Sequence, residues 1–307
     1  MFEGWYYKIV DPAGERPMAM IPGVFLGEDR HAFIQVLDGH AAVSHYHRFD
    51  LEAFTVAPER FDVRIGPNRF SPASMHLDLE AVGDAPLSRV RGEVCFDPWV
   101  PWPVTLTRPG AMGPYAFAPF MQCYHGILGL DHGLQGQLEV DGAQTVYDGG
   151  RGYVEKDWGK GFPEAYTWVQ SNHFGRPGVC VTASVATIPW LTGAFRGFLA
   201  GFLLDGTLHQ FTTYNGSAID SLDITDTHLH LVIHNPTHRL VIEAEKGGGA
   251  LLHAPYDQVM LERVAETMTS TVSVRLKETA SGALRFEGVG RHACLELVGP
   301  LAKIVGE

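Results

Sequence analysis

The stretch Tyr153-Val154-Glu155-Lys156-Asp157-Trp158-Gly159 holds two carboxylic acids two residues apart. In an extended chain side chains alternate, so Tyr153, Glu155 and Asp157 share one face and Val154, Lys156 and Trp158 the other. Two carboxyl groups at that spacing in dry surroundings cannot both ionise cheaply, so one keeps its proton and is available as a general acid. The competing role is structural, with Lys156 or Arg151 pairing with them as solvated strand-edge charges. Trp5, Tyr6, Tyr7, Trp158 and Trp168 are rings whose π faces would each stabilise a desolvated cation by ~1–2 kcal/mol. Ordinary β-core packing uses the same rings. Gln170 and Asn172 share one face of the next strand, where they would hydrogen-bond either a ligand's oxygens or other polar groups of the fold. Glu3, between Phe2 and Gly4, is an odd carboxylate for a buried strand face; it is a second candidate acid or one half of a surface ion pair.

Other chemistries fit less well. His45 and His47 lie on one face of a strand, but no spacing links them to a third ligand such as His125 or His132, so no metal is expected. There is no Gly-x-Ser-x-Gly elbow, and the glycine-rich stretches do not follow phosphate-loop or dinucleotide patterns, so no cofactor is expected.

The 307 residues point to two domains, and 45% hydrophobic with 19% charged residues is enough apolar chain for a sizeable core. A net charge of -12 sets the whole-protein field against nucleic acid. Cys95, Cys123, Cys180 and Cys294 form no paired motif, which suits reduced, buried thiols. The first residues lack a basic leader and an apolar run, so cytoplasmic residence is expected.

The elements read as strands. Phe2–Val10 alternates apolar with polar residues, and residues 32–37 run into Asp38-Gly39. Hairpin punctuation recurs at Asp141-Gly142, Asp205-Gly206 and Asn215-Gly216, while 271–276 and 293–298 alternate again. The greasy run 190–204 is too short for a membrane span and reads as buried strand. Helices are few, one being expected around 257–266. Between Asp97 and Phe120, six prolines interleave with Trp99, Trp102, Tyr115, Phe117 and Phe120, so 97–120 is an ordered aromatic loop. It reads as a plug over one barrel end, or as a lid and a point of peripheral membrane contact. Gly149-Gly150-Arg151-Gly152 marks the seam between a domain of 1–150, which holds that loop, and one of 151–307.

The Glu155-Lys156-Asp157-Trp158-Gly159 signature, followed by Phe162-Pro163 and Trp168-Val169-Gln170, resembles the tocopherol cyclase family. Phe2-Glu3-Gly4-Trp5-Tyr6-Tyr7, Phe33-Ile34-Gln35-Val36, Ser44-His45-Tyr46-His47 and Pro101-Trp102-Pro103 extend the likeness over most of the chain. Plant members usually carry Asn where Asp157 stands. The resemblance implies an all-β architecture of two tandem lipocalin-like antiparallel β-barrels or half-barrels, with few short helices. It also implies proton-initiated cyclisation of a prenylated quinol to a chromanol inside a hydrophobic barrel cavity, with no cofactor. In that scheme Glu155 or Asp157, with Glu3 as a further candidate, supplies the proton. Trp5, Tyr7, Tyr153, Trp158 and Trp168 line the site, and Gln170 and Asn172 orient the ring. The alternative is a non-catalytic carrier of an isoprenoid or other lipid, since an eight-stranded barrel holds one small apolar ligand without needing an acid. A partner-binding role for 97–120 is a third reading.

Overall fold

The computed structural model describes residues 1–119, 121–190 and 193–305. Strand dominates it, with 3-10 turns at Leu51–Ala53 and Gly113–Phe117 and a single short α-helix, Ala302–Val305. Among the described residues no helix is long and apolar enough to cross a membrane.

By its contacts the chain divides into two compact units. The first gathers Met1–Pro101, Cys123–Phe162 and Ala250–Val264; the second gathers Trp102–Gln122, Pro163–Gly249 and Ala265 onward. The strand Arg151–Gly159, which the glycine seam would start the second half with, pairs with Phe2–Val10 on one side and Cys123–Val140 on the other. It therefore sits mid-sheet in the first unit, because its hydrogen-bond partners are there.

Both units repeat one strand order. In the first, the meander of Val43–Phe49, His31–Asp38, Met18–Phe25 and Phe2–Val10 is followed by Arg151–Gly159 and Cys123–Val140, then by shorter strands back to Phe54–Val56. In the second, Thr207–Thr212, Gly193–Leu204, Val179–Trp190 and Tyr166–Ser171 are followed by Leu284–Val298 and Val259–Glu278, then by strands back to Ala218–Ile224. Neither antiparallel sheet is closed by hydrogen bonds among the described residues, so each is a lipocalin-like half-barrel. Each curls around its own apolar core: Tyr7, Ile9, Met20, Ile34, Phe70 and Val154 are among the residues filling the first, and Val169, Val181, Phe202, Ile242 and Leu295 among those filling the second.

The turn chemistry holds at two of the expected hairpins. Asp141 and Gly142 have φ of 50° and 86°, and Asp205 and Gly206 have 49° and 81°, the positive pair that a two-residue hairpin with right-handed twist requires. Asn215-Gly216 instead joins Thr207–Thr212 to Ala218–Ile224, which lie at opposite edges of their sheet and do not pair. The Asn215 carboxamide builds that turn, accepting from the Thr212 N–H and the Ser217 hydroxyl.

Three further expectations are corrected. Residues 257–266 are not helix: the strand Val259–Glu278 runs through them, and from Val264 onward its buried positions recur with the period of two that a half-buried strand needs. The greasy run 190–204 is strand at Trp190 and from Gly193 onward, but its residues as far as Phe198 are exposed or half-buried; Leu191 and Thr192 lie outside the described residues. All four cysteines are free, but Cys95 is exposed and Cys123 only half-buried.

Among its described residues the proline-aromatic segment is irregular apart from the short hairpin of Val104–Thr105 with Arg108–Pro109 and the 3-10 turn Gly113–Phe117. Trp99 packs with the first unit's core. Trp102 is buried in the second unit, where a Cβ on Gly201 would lie 2.4 Å from its ring. Tyr115 stacks on Phe195 at 5.7 Å in that same unit. Leu106 at the hairpin turn is 98% exposed, and Phe120 lies outside the described residues.

His132, in the first core beside Phe96 and Trp99, shows what burial does to a titrating ring. Desolvation pushes its pKa down from 6.5 to about 3. Below pH 6.5 the unfolded chain takes up the proton that the folded ring refuses. The stability carried by the neutral ring is therefore present above pH 6.5 and lost as pH falls towards 3, by up to about 1.4 kcal/mol per pH unit. Urea unfolding between pH 6 and 4 should show a shallower loss of stability in His132→Leu than in the wild type.

Candidate active site

The strand Arg151–Gly159 is buried on both faces, which lets polar side chains be held dry on the side away from the core. Val154 points into the first unit's core, so Tyr153, Glu155 and Asp157 point away from it. Across the ladder, Tyr6 lies opposite Glu155, Gly4 opposite Asp157 and Lys8 opposite Tyr153. On the other side Ile127 faces Glu155 and His125 faces Asp157.

Within this row the polar groups find each other. The Tyr153 hydroxyl donates to Glu155 Oε2 at 2.5 Å, and Tyr153 is fully buried. His125 Nδ1 is 2.9 Å from Asp157 Oδ1, so Nδ1–H donates to that carboxylate. The other ring nitrogen, Nε2, faces Glu155 Oε2 at 3.6 Å. The Glu155 side chain is 6% exposed and that of Asp157 22%. One imidazole therefore lies between a buried carboxyl and a more open one. The three side chains also have the composition of a metal-ligand set, with one ligand atom from each lying within 4.8 Å of the others.

An apolar floor adjoins the carboxyl row. Phe2, Phe25 and Phe33 form a buried cluster with Ile21, Tyr46, Cys123, Phe162 and Met260 against it. The Phe33 ring lies across Gly23 and approaches Gly4: a Cβ on Gly23 would lie 2.4 Å from Phe33 Cζ, and one on Gly4 3.9 Å from it. Since Gly4 is opposite Asp157, the two glycines let an aromatic ring lie flat beside the acid row. Tyr46 stacks on Phe33 at 5.2 Å and His253 on Tyr46 at 4.4 Å. His31 Nδ1–H donates to the Asp29 carbonyl, so its Nε2 accepts from the Tyr46 hydroxyl at 2.7 Å. Burial lowers the pKa of His31 and of His253, and raises that of Tyr46. These rings stay neutral near pH 7. Gln35 fastens the 250–264 segment over this face, accepting from the His253 N–H at 2.7 Å and donating to its carbonyl at 3.3 Å.

The residues read from sequence fall into three groups. Tyr153, Glu155 and Asp157 come together as alternation predicts. Trp5 and Tyr7 belong to the core on the opposite face of the same sheet. Trp158 joins them there by strand parity, stacking on Tyr124 at 5.3 Å, and Lys156 Nζ stands 4.9 Å from the Trp158 ring and 5.1 Å from that of Trp5. Glu3 is on that side too, bound to Lys156 Nζ at 2.5 Å and 40% exposed. An aromatic wall of Trp5, Tyr7 and Trp158 therefore does not share a face with Glu155, because odd and even positions of one strand point to opposite sides. Trp168, Gln170 and Asn172 belong to the second unit and are all buried. Gln170 donates to Cys180 Sγ at 3.7 Å.

Sequence reasoning missed His125 as a partner of the acids, having weighed it only as a distant ligand for His45 and His47. Those two rings are neighbours at 4.6 Å, but His47 Nε2 is taken by the Leu87 carbonyl. Lys8, fully buried in the Tyr153 row, was also missed; the strict alternation of Phe2–Val10 places it there. Phe33 and Tyr46 stand in stretches that resemble the family, but no local pattern marks them as neighbours of the acids. In the second unit, Glu296 lies opposite Trp168 and the fully buried Glu266 opposite Glu296, a carboxyl pair hidden by reading 257–266 as helix.

Residues 81–299 match the family model described as tocopherol cyclase-like. The rice (Oryza sativa subsp. japonica) protein named probable tocopherol cyclase, chloroplastic, is 28% identical over 190 residues, 60% of this chain and 38% of its own length. The maize (Zea mays) tocopherol cyclase, chloroplastic, is 28% identical over 183 residues, 57% of this chain and 35% of its own. The matched stretch thus spans little more than a third of these relatives. Among solved structures, CghA with Sch210972 superposes with a TM-score of 0.57 at 11% identity, covering 97% of this chain and 88% of that one. That likeness is one of fold.

Proposed function

Because the chain belongs to the tocopherol cyclase-like family, we propose that the Glu155 face of its first unit cyclises a prenylated quinol, or a similar isoprenoid phenol, by protonating its alkene. The observation that carries this reading is the buried Tyr153–Glu155 pair beside the His125–Asp157 hydrogen bond. A carrier of the same ligand has no use for carboxyl groups in its floor.

The reaction is an isomerisation, so it consumes no oxidant, reductant or co-substrate. A proton adds to the less substituted alkene carbon and leaves a tertiary cation. The quinol oxygen then bonds to that cation and gives up its own proton. Asp157 is the more exposed carboxyl and takes the His125 N–H, so the negative charge of the row rests there. Ionising the buried Glu155 as well would place a second charge nearby in dry surroundings, so Glu155 keeps its proton and is the donor. Phe33, Phe2 and Tyr46 offer π faces to the cation and exclude water that would trap it as an alcohol. The proton leaving the ring-closing oxygen goes to the His125–Asp157 pair, and His125 Nε2, 3.6 Å from Glu155, hands it back.

Incubating the purified protein with a prenylated benzoquinol in D2O tests the reading. The expected product is the chromanol carrying one deuterium on the carbon next to the new C–O bond. Recovery of unchanged quinol, tightly bound, would instead leave the carrier. Appearance of a tertiary alcohol would mean that water reaches the cation.

A further inference from the structure

The acid row also has the spacing of a metal centre. His125 gives its Nδ1–H to Asp157 Oδ1 at 2.9 Å, and a neutral imidazole that donates from one nitrogen carries its lone pair on the other. That lone pair, on Nε2, faces Glu155 Oε2 at 3.6 Å. The separation is too long for a hydrogen bond. Two atoms that ligate one tetrahedral ion at roughly 2.0–2.1 Å lie about 3.3 Å apart, so this pair needs to close by only a few tenths of an ångström around a metal. The supports that metal ligands usually carry are already in place. Asp157 holds the far nitrogen of His125, and the Tyr153 hydroxyl holds the facing oxygen of Glu155 at 2.5 Å. Among the described residues, His125, Glu155 and Asp157 are the one group of three metal-ligating side chains with ligand atoms within 4.8 Å of one another.

We propose that His125 Nε2 and Glu155 Oε2 bind a divalent transition-metal ion of the zinc or cobalt kind, with Asp157 as the carboxylate that orients the imidazole. A ring nitrogen beside a carboxylate favours such ions over magnesium and calcium, which prefer oxygen ligands. The ion's two positive charges balance the two carboxylates crowded on one strand face. Two protein ligands leave further positions to water, and the His125 and Asp157 side chains, 15% and 22% exposed, give water and the ion access to the row. Ion binding does not depend on the cyclisation reading, but it bears on it. A metal on Glu155 occupies the oxygen assigned there to the proton, so bound metal and turnover exclude each other.

The test is a titration of the whole metal-free protein with cobalt(II) chloride, followed by visible absorption. A single equivalent of cobalt should saturate a visible band, zinc chloride should bleach it, and excess magnesium chloride should leave it unchanged. Glu155→Gln and His125→Ala should abolish the band. Asp157→Asn should keep the band and weaken cobalt about ten-fold to a hundred-fold, the cost of losing a carboxylate behind a metal-bound histidine. That graded loss decides the matter if His125→Ala fails to fold. His45→Ala, at the histidine pair outside the row, should bind cobalt as the wild type does. A titration without saturation would overturn the proposal, as would a band that survives in Glu155→Gln or one that disappears in His45→Ala. Chromanol assays with zinc keep the two readings apart: a cobalt band alongside turnover that zinc does not slow supports the metal site and removes Glu155 as the acid, whereas turnover without any cobalt band overturns the metal site alone.

Discussion

Glu155→Gln should lower the rate of chromanol formation by about 10²–10⁴, the range a positioned general acid contributes. The substitution keeps the side-chain shape and leaves a carbonyl oxygen to accept the Tyr153 hydroxyl, so the half-barrel should fold and the loss should fall on turnover. Asp157→Asn should cost less, about ten-fold to a hundred-fold. It leaves an oxygen for the His125 N–H but removes the charge that steadies the protonated imidazole while a proton is in transit. Initial rates for the two variants and the wild type give the ranking. If Glu155→Gln stays within two-fold of wild type, the acid is elsewhere and the row is a structural network.

Gly23→Ala should destabilise the first unit by about 1–3 kcal/mol, the usual cost of forcing atoms into a filled site. The added methyl would lie 2.4 Å from Phe33 Cζ and 2.7 Å from the Glu3 carbonyl oxygen. The ring can swing aside. The carbonyl is part of the backbone of the neighbouring paired strand and cannot move without opening that ladder. Gly4→Ala makes an informative comparison, since its methyl would meet the Pro22 carbonyl at 3.7 Å and Phe33 at 3.9 Å, ordinary contact distances. In urea unfolding the Gly23 variant should lose stability and the Gly4 variant should stay close to wild type. Equal stability of the two would mean that Phe33 does not lie across the glycine pair. Because Phe33 also forms the floor beside Asp157, the Gly23 variant should turn over more slowly as well.

These two expectations draw on different depths of the sequence. That Tyr153, Glu155 and Asp157 share a face needed nothing beyond strand periodicity, which is a property of the extended backbone itself. The turns at Asp141-Gly142 and Asp205-Gly206 were equally local, because positive φ is cheap for few residues. The strand through 257–266 was not legible, since a mixed run of charged and apolar residues fits either period until its partner strand is known. Which face of Arg151–Gly159 meets the core was not legible either. Alternation says that two sides exist and is silent on what covers each, so Trp5, Tyr7 and Trp158 were grouped with acids they turn away from. The pairing of His125 with Asp157 spans 32 residues and depends on the register between two strands, which no local pattern encodes.

Composition, turn residues and periodicity were thus enough to settle an all-β chain and the hairpin turns at Asp141-Gly142 and Asp205-Gly206, and a long signature motif was enough to settle the family. Tertiary structure alone decided that the motif strand lies mid-sheet, buried on both faces, with an imidazole between its two carboxyls and an aromatic floor across two glycines. The physical reason is range: backbone torsions and side-chain alternation act within a few residues, whereas burial, strand order and register are set by partners that folding brings from far along the chain.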